Sequence, residues 1–278
     1  MKGEFDLATA VRDLGGGSYS ATVTHGWDIG GNANGGFLMA ICGRAMADHV
    51  GRPPLTVTAH FLAPAPSGPG TVDVETVRDG RRLATANATL RQDGRDVMRV
   101  LGTFGHQTFD QQGDGPTLVT GAPPELPPFD DCVIPRSPSD DFAPALFDRL
   151  AVRLRPGDEG FRLGVPTGRA EIAGWFAFSD TQPIDAVALL FVADAFPPPV
   201  FNTGLPVGWV PTLELTVHVR GVPSPGPLRC IYRSRFIQGG LLEEDAEMWD
   251  SRDVLVAQSR QLALTPRDVT SDPVTPRG

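Results

Sequence analysis

Two places in this chain of 278 residues gather groups with chemical capability. The first is Asn34-Gly35-Gly36, directly ahead of an apolar stretch that predicts a helix over Phe37–Val50. The leading amides of a helix lack partners within it and carry the positive end of its dipole. Glycines there let a substrate atom approach the backbone, so the trio suits an oxyanion hole. It equally fits a plain Asn cap with glycines in the turn. The second is Asp194, beside Phe191 and Phe196 at the end of a predicted apolar helix over Ile184–Phe196. Burial and the negative end of a helix both disfavour a carboxylate, which raises its pKa toward the range useful to a general base. A helix-terminal Asp bonded to loop amides is the structural alternative.

Other chemistries find little footing. No Gly-x-Ser-x-Gly elbow is present, which argues against a serine hydrolase of the α/β type. Gly15-Gly16-Gly17-Ser18 lacks the lysine of a phosphate loop, and the glycines between Gly30 and Gly36 do not fit dinucleotide spacing. The 3 cysteines, Cys42, Cys132 and Cys230, are odd in number and widely spaced, so neither a disulfide framework nor a metal site is predicted. No cofactor is expected. His25, His60 and His218 fall on separate predicted strands or turns and read as packing or surface residues. A net charge of −9, with the arginines of Arg91–Arg99 interrupted by Asp93 and Asp96, argues against nucleic acid. No apolar run approaches the roughly 18 residues of a spanning helix. The N-terminus lacks a secretory h-region. A cytoplasmic protein without membrane association is expected.

Around these residues the pattern repeats. Phe37–Val50 is followed by strand-like runs at Thr56–Leu62, Thr71–Arg78, Arg82–Arg91 and Asp96–Phe104, with Asp79-Gly80 and Asp93-Gly94 at the turns. Ile184–Phe196, ended by Pro197-Pro198-Pro199, is followed by runs at Thr212–Arg220, Leu228–Phe236, Leu241–Trp249 and Val254–Leu264. Thr58-Ala59-His60 aligns with Thr216-Val217-His218, and Arg95-Asp96-Val97 with Arg252-Asp253-Val254. The order of these matches agrees with the order of the elements, so an internal duplication is inferred. The partition is residues 1–106, a proline-rich linker over 107–144, a second half over 145–266 and a loose tail over 267–278. Each half is α+β: one apolar helix to be wrapped by an antiparallel sheet. Trp27 and Trp175 are expected to pack the core, with Trp27 also able to border a substrate slot.

This arrangement resembles the double hotdog fold, and the sequence resembles the acyl-CoA thioesterase II-like (TesB-like) family. Four stretches carry the likeness: Trp27 through Phe37, His60-Phe61-Leu62, Phe191 through Phe196, and Pro211-Thr212-Leu213-Glu214-Leu215 together with Ala257 through Leu262. The resemblance implies hydrolysis of acyl-CoA by a water held on an Asp, a Thr and a Gln of the second hotdog. These carry over onto Asp194, Thr212 and Gln261. Leu213-Glu214-Leu215 departs from the Ile-Asp-His of well-known members, which leaves acyl specificity open. Asp48 matches Asp194 in the repeat, but Phe104 and Pro54 stand opposite Gln261 and Thr212, so the first half is expected to lack a water-holding set. Combined with the Asn34-Gly35-Gly36 reading, this gives one composite site. A homodimer or dimer of dimers is a further implication of the resemblance. The alternatives are an acyl-thioester binder without chemistry and an acyl-thioester hydratase or dehydratase; the latter wants a His that neither helix supplies at the site end.

Overall fold

The computed structural model describes residues 2–105, 117–135 and 145–266. The first half contains α1 (Glu4–Ala8), β1 (Arg12–Gly15), β2 (Ser18–Val23), a small ribbon of β3 (Asp28–Ile29) and β4 (Asn32–Ala33), and α2 (Gly35–Val50). It continues with β5 (Pro54–Phe61), β6 (Gly68–Asp79), β7 (Leu83–Gln92) and β8 (Arg95–Gly105). The second half contains β9 (Arg153–Leu154), β10 (Glu171–Phe176), α3 (Ala188–Val192), β11 (Thr212–Val219) and β12 (Leu228–Arg233). It ends with β13 (Ile237–Gln238), β14 (Leu241–Trp249) and β15 (Leu255–Leu264).

Among the described residues, all strands but the β3–β4 ribbon join one antiparallel sheet of 13 strands, ordered β1-β2-β6-β7-β8-β5-β11-β15-β14-β12-β10-β9, with β13 against β14. Read outward from its centre, the order on one side repeats the order on the other. This is a double hotdog, as the resemblance implied.

The halves join where β5 pairs with β11. Thr58 stands opposite Thr216, Thr56 opposite His218 and His60 opposite Glu214. The register is therefore unchanged when the aligned residues of the two halves are exchanged. The Thr58 and Thr216 hydroxyls lie 2.8 Å apart at this pseudo-twofold position. The internal match seen in the sequence is thus the seam of the molecule.

Helix α2 forms as its composition directs. The Asn34 side chain accepts from the Phe37 amide at 2.9 Å, and Gly51, in the left-handed conformation at φ 66°, closes the far end. Between them Gly36 through Gly43 are all buried. The second helix is shorter than the predicted Ile184–Phe196: only Ala188–Val192 is α-helical. Pro183 precedes it, and Asp185 receives the Ala188 amide at 2.7 Å. After Val192 the chain tightens, because the Asp194 and Ala195 amides bond the carbonyls three residues back.

The two helices share one core. Trp27 stacks on Phe37 at 5.3 Å between ring centres and meets Phe191 of α3 edge-on at 5.5 Å. Trp27 is only 1% exposed and lies off the cavity wall, so it packs the core and does not border a substrate slot. The described part of the proline-rich stretch follows the sheet edge: the Trp175 indole donates to the Pro127 carbonyl at 2.9 Å, and Val133 bridges Leu154. The remainder of that stretch and the 267–278 tail lie outside the described residues.

Candidate active site

Asp194 follows α3 and meets the start of α2. Its Oδ2 accepts from the Gly36 amide at 2.9 Å and from Asn34 Nδ2 at 2.9 Å, while the same Nδ2 reaches the Asp194 carbonyl at 2.8 Å. The nearby Gly35 amide also favours the charged carboxylate. Asn34 thus holds two elements at once, capping α2 through its oxygen and gripping Asp194 through its nitrogen.

This corrects one expectation. The Gly36 amide and the Asn34 amide group were expected to be free for an oxyanion; they are taken up by Asp194. An anionic carboxylate satisfies unpaired helix-start amides, so Asp194 of the second half fills the cradle of the first. The glycines are required for that approach. A Cβ on Gly36 would lie 2.8 Å from the Phe191 carbonyl oxygen and 2.9 Å from Asp194 Cβ, and one on Gly35 would lie 3.0 Å from Asp194 Oδ2. Both halves meet here, with the first half contributing the amides that seat Asp194.

Burial pushes the Asp194 carboxyl up to about 6, against the opposing pull of Gly36, Asn34 and Gly35. An ordinary aspartate would be a weak base; this one sits close to neutral pH.

Asp194 opens onto a cavity of about 430 Å³ lined by both halves. Phe61, Phe161, Phe196 and Phe201 give it an apolar character, and Thr212 and Gln261 lie on the same wall. Gln261 sits on the inward side of β15 at 5% exposure. Thr212 stands at the start of β11, where the register against β15 slips between Thr212 and Glu214 and both Thr212 and Leu213 border the cavity. The structure therefore brings Asp194, Thr212 and Gln261 to one cavity.

A further acidic residue on that wall is Glu244, 6% exposed and directly opposite Gln261 across the β14–β15 pair. The sequence held a signal for it. Along β14, Leu242, Ala246 and Met248 alternate inward, and Glu244 stands in the same row. An acid in an inward row is unexpected, and that is what marks it.

The residues that match Gln261 and Asp194 in the first half are placed differently. Phe104 is fully buried, and Asp48 is exposed, accepting from the Tyr19 hydroxyl at 3.0 Å. Cys42, Cys132 and Cys230 are buried free thiols, and among the described residues no acid, His and Cys cluster is arranged for a metal. No helix among them is long and apolar enough to cross a membrane.

Fold and site together define a double hotdog protein with a carboxyl-bearing apolar cavity at its seam. Residues 23–105 match the family described as acyl-CoA thioesterase N-terminal domain, and residues 129–265 match acyl-CoA thioesterase C-terminal domain. The chain belongs to this acyl-CoA thioesterase family. A candidate thioesterase II of Thermobifida fusca YX is 31% identical and superposes with a TM-score of 0.84 over 95% of this chain and 98% of that one. A hotdog-fold protein of Alicyclobacillus acidocaldarius, of unknown function, shares the fold at a TM-score of 0.83 with 24% identity, covering 97% and 100%. An uncharacterised protein of Mycobacterium tuberculosis H37Rv is 29% identical over 96% of this chain and 99% of its own length.

Proposed function

We propose that the chain hydrolyses acyl-CoA to the free acid and coenzyme A at the Asp194 cavity. The observation that carries this reading is a carboxylate poised near pH 6 at the end of an apolar cavity, with Thr212 and Gln261 on the same wall. In the proposed mechanism, Thr212 and Gln261 orient the attacking water and Asp194 takes its proton. The water oxygen bonds to the thioester carbonyl carbon; the C–S bond then breaks, and the sulfur leaves with a proton returned by Asp194. The phenylalanine-rich wall suits an acyl chain. Arg162, the one basic side chain among the described residues lining the cavity, suits an anionic group such as a coenzyme A phosphate. No histidine lines the cavity among the described residues, which favours hydrolysis over hydration or dehydration.

Release of free thiol from a panel of acyl-CoAs is the direct test. Turnover with at least one chain length is expected; tight binding without thiol release would leave the chain a binder and sink the reading.

The pH profile follows from the seat of the base. The acid limb of kcat/KM is expected near pH 6, with rate rising as Asp194 ionises. Asn34→Ala removes a donor that favours the charged form, so the limb should move to higher pH. Losing the cap should also cost about 1 kcal/mol of stability. A limb that stays in place in Asn34→Ala would show that another group sets it.

A further inference from the structure

With the Gly36 and Asn34 donors turned onto Asp194, the thioester carbonyl needs a donor from elsewhere on the wall. We propose that the inward-facing Glu244 carboxyl donates a hydrogen bond to the thioester carbonyl oxygen and to the oxyanion it becomes. This rests on the reading of the cavity as a hydrolytic site and assigns that site a further catalytic residue.

Three observations support the assignment. Glu244 is 6% exposed, points inward from β14 and borders the same cavity as Asp194. Its Oε2 has no hydrogen-bond partner among the described residues, and neither does Oε1 of its cross-strand neighbour Gln261. A buried carboxyl oxygen without a partner is costly, and a substrate group would supply one. The last is electrostatic. Burial comes first, and the negative charge of Asp194 second, in holding the Glu244 carboxyl well above the usual range. Glu243 and Asp245 on the same strand act in the same direction. Tyr232 on β12, also in the field of Glu244, is itself held neutral by burial, as is Cys230 beside it. No cation in this set favours ionisation of Glu244. Two carboxyls in one enclosed site cannot both ionise cheaply, so the one cradled by amides takes the charge and the other keeps its proton.

The proton accounting closes. When water attacks, its proton goes to Asp194, and the carbonyl π pair moves onto oxygen, where the Glu244 O–H stabilises it. When the C–S bond breaks, the pair returns to form the acid's carbonyl. Glu244 has then neither gained nor lost its proton.

The test compares Glu244→Gln, which keeps a donor of the same shape, with Glu244→Leu, which has none. Glu244→Leu is expected to lower kcat by about a hundred- to a thousand-fold, the loss typical of a removed oxyanion donor. Glu244→Gln is expected to stay at least about tenfold above Glu244→Leu and to lose the alkaline limb of the pH profile. Infrared difference spectra should show a protonated-carboxyl band at neutral pH that persists in Asp194→Asn and disappears in Glu244→Gln. Glu244→Gln as slow as Glu244→Leu, both variants as fast as wild type, or no such band would each overturn the donor role. Wild-type protein that turns over no thioester would instead overturn the proposed function. A shift of the band on binding a non-hydrolysable thioester analogue would then still support the donor role, and an unmoved band would overturn it.

Discussion

Asp194→Asn is expected to lower kcat by about a hundred-fold or more while leaving the protein folded. Asparagine keeps the size of the side chain, and its carbonyl oxygen can still accept from the Gly36 amide that now holds Oδ2 at 2.9 Å. What it removes is a proton acceptor poised near pH 6. Stability should move the opposite way from activity. Because the folded-state pKa is raised, ionisation of Asp194 opposes folding above the unfolded pKa, and this penalty is absent below it. Asp194→Asn should therefore melt no lower than wild type at pH 7, and the advantage should shrink as pH falls from about 6 to about 4, below which it is gone. Near wild-type turnover in Asp194→Asn would end its role as the base. Unchanged KM with reduced kcat would separate chemistry from binding.

Gly36→Val is expected to be the most damaging change at the seam. Its Cβ would meet the Phe191 carbonyl oxygen at 2.8 Å, and that carbonyl belongs to α3 and cannot rotate away as a side chain can. The helices must part, at a cost of roughly 1–3 kcal/mol for an overpacked contact. As they part, Asp194 leaves its amides, and turnover should fall by about a hundred-fold or more. Gly43→Ala is the control on the same helix pair. Its new Cβ would meet Leu190 Cδ1 at 2.6 Å, the movable tip of a side chain and not backbone. Gly43→Ala should lower the melting temperature yet keep most of kcat. If Gly36→Val retained wild-type Tm and rate, the close approach of the halves would not matter to the site.

The strands were readable because their signals are local. Asp79-Gly80 and Asp93-Gly94 sit between alternating runs, and β6, β7 and β8 form around them with limits shifted by a few residues. The second helix was overestimated because an apolar run such as Ala186 through Val192 is buried whether helical or not. Periodicity alone does not report how many of its amides bond four residues back. The partner of Asn34 was out of reach for a different reason. Asn34 and Asp194 are 160 positions apart in the chain, and a residue that caps a helix looks the same whether its second group is free or engaged. Glu244 was within reach, since its inward row can be counted along β14, but Glu243 and Asp245 on either side of it are acidic too and nothing local sets it apart from them.

The β5–β11 seam has a consequence for how the chain reaches its working state. Hairpins such as β7–β8 close over a few residues, whereas the Thr58–Thr216 contact closes a loop of 158 and the Asn34–Asp194 contact one of 160. Loop-closure entropy and topology both favour the short hairpins first. Each half can assemble its strands early, but Asp194 is not seated on its amides until they dock. Catalytic competence is therefore expected to return with the last phase of refolding, after most β-structure has recovered. Turnover during refolding would then time the marriage of the two halves, a late event that bulk β-sheet signals pass over.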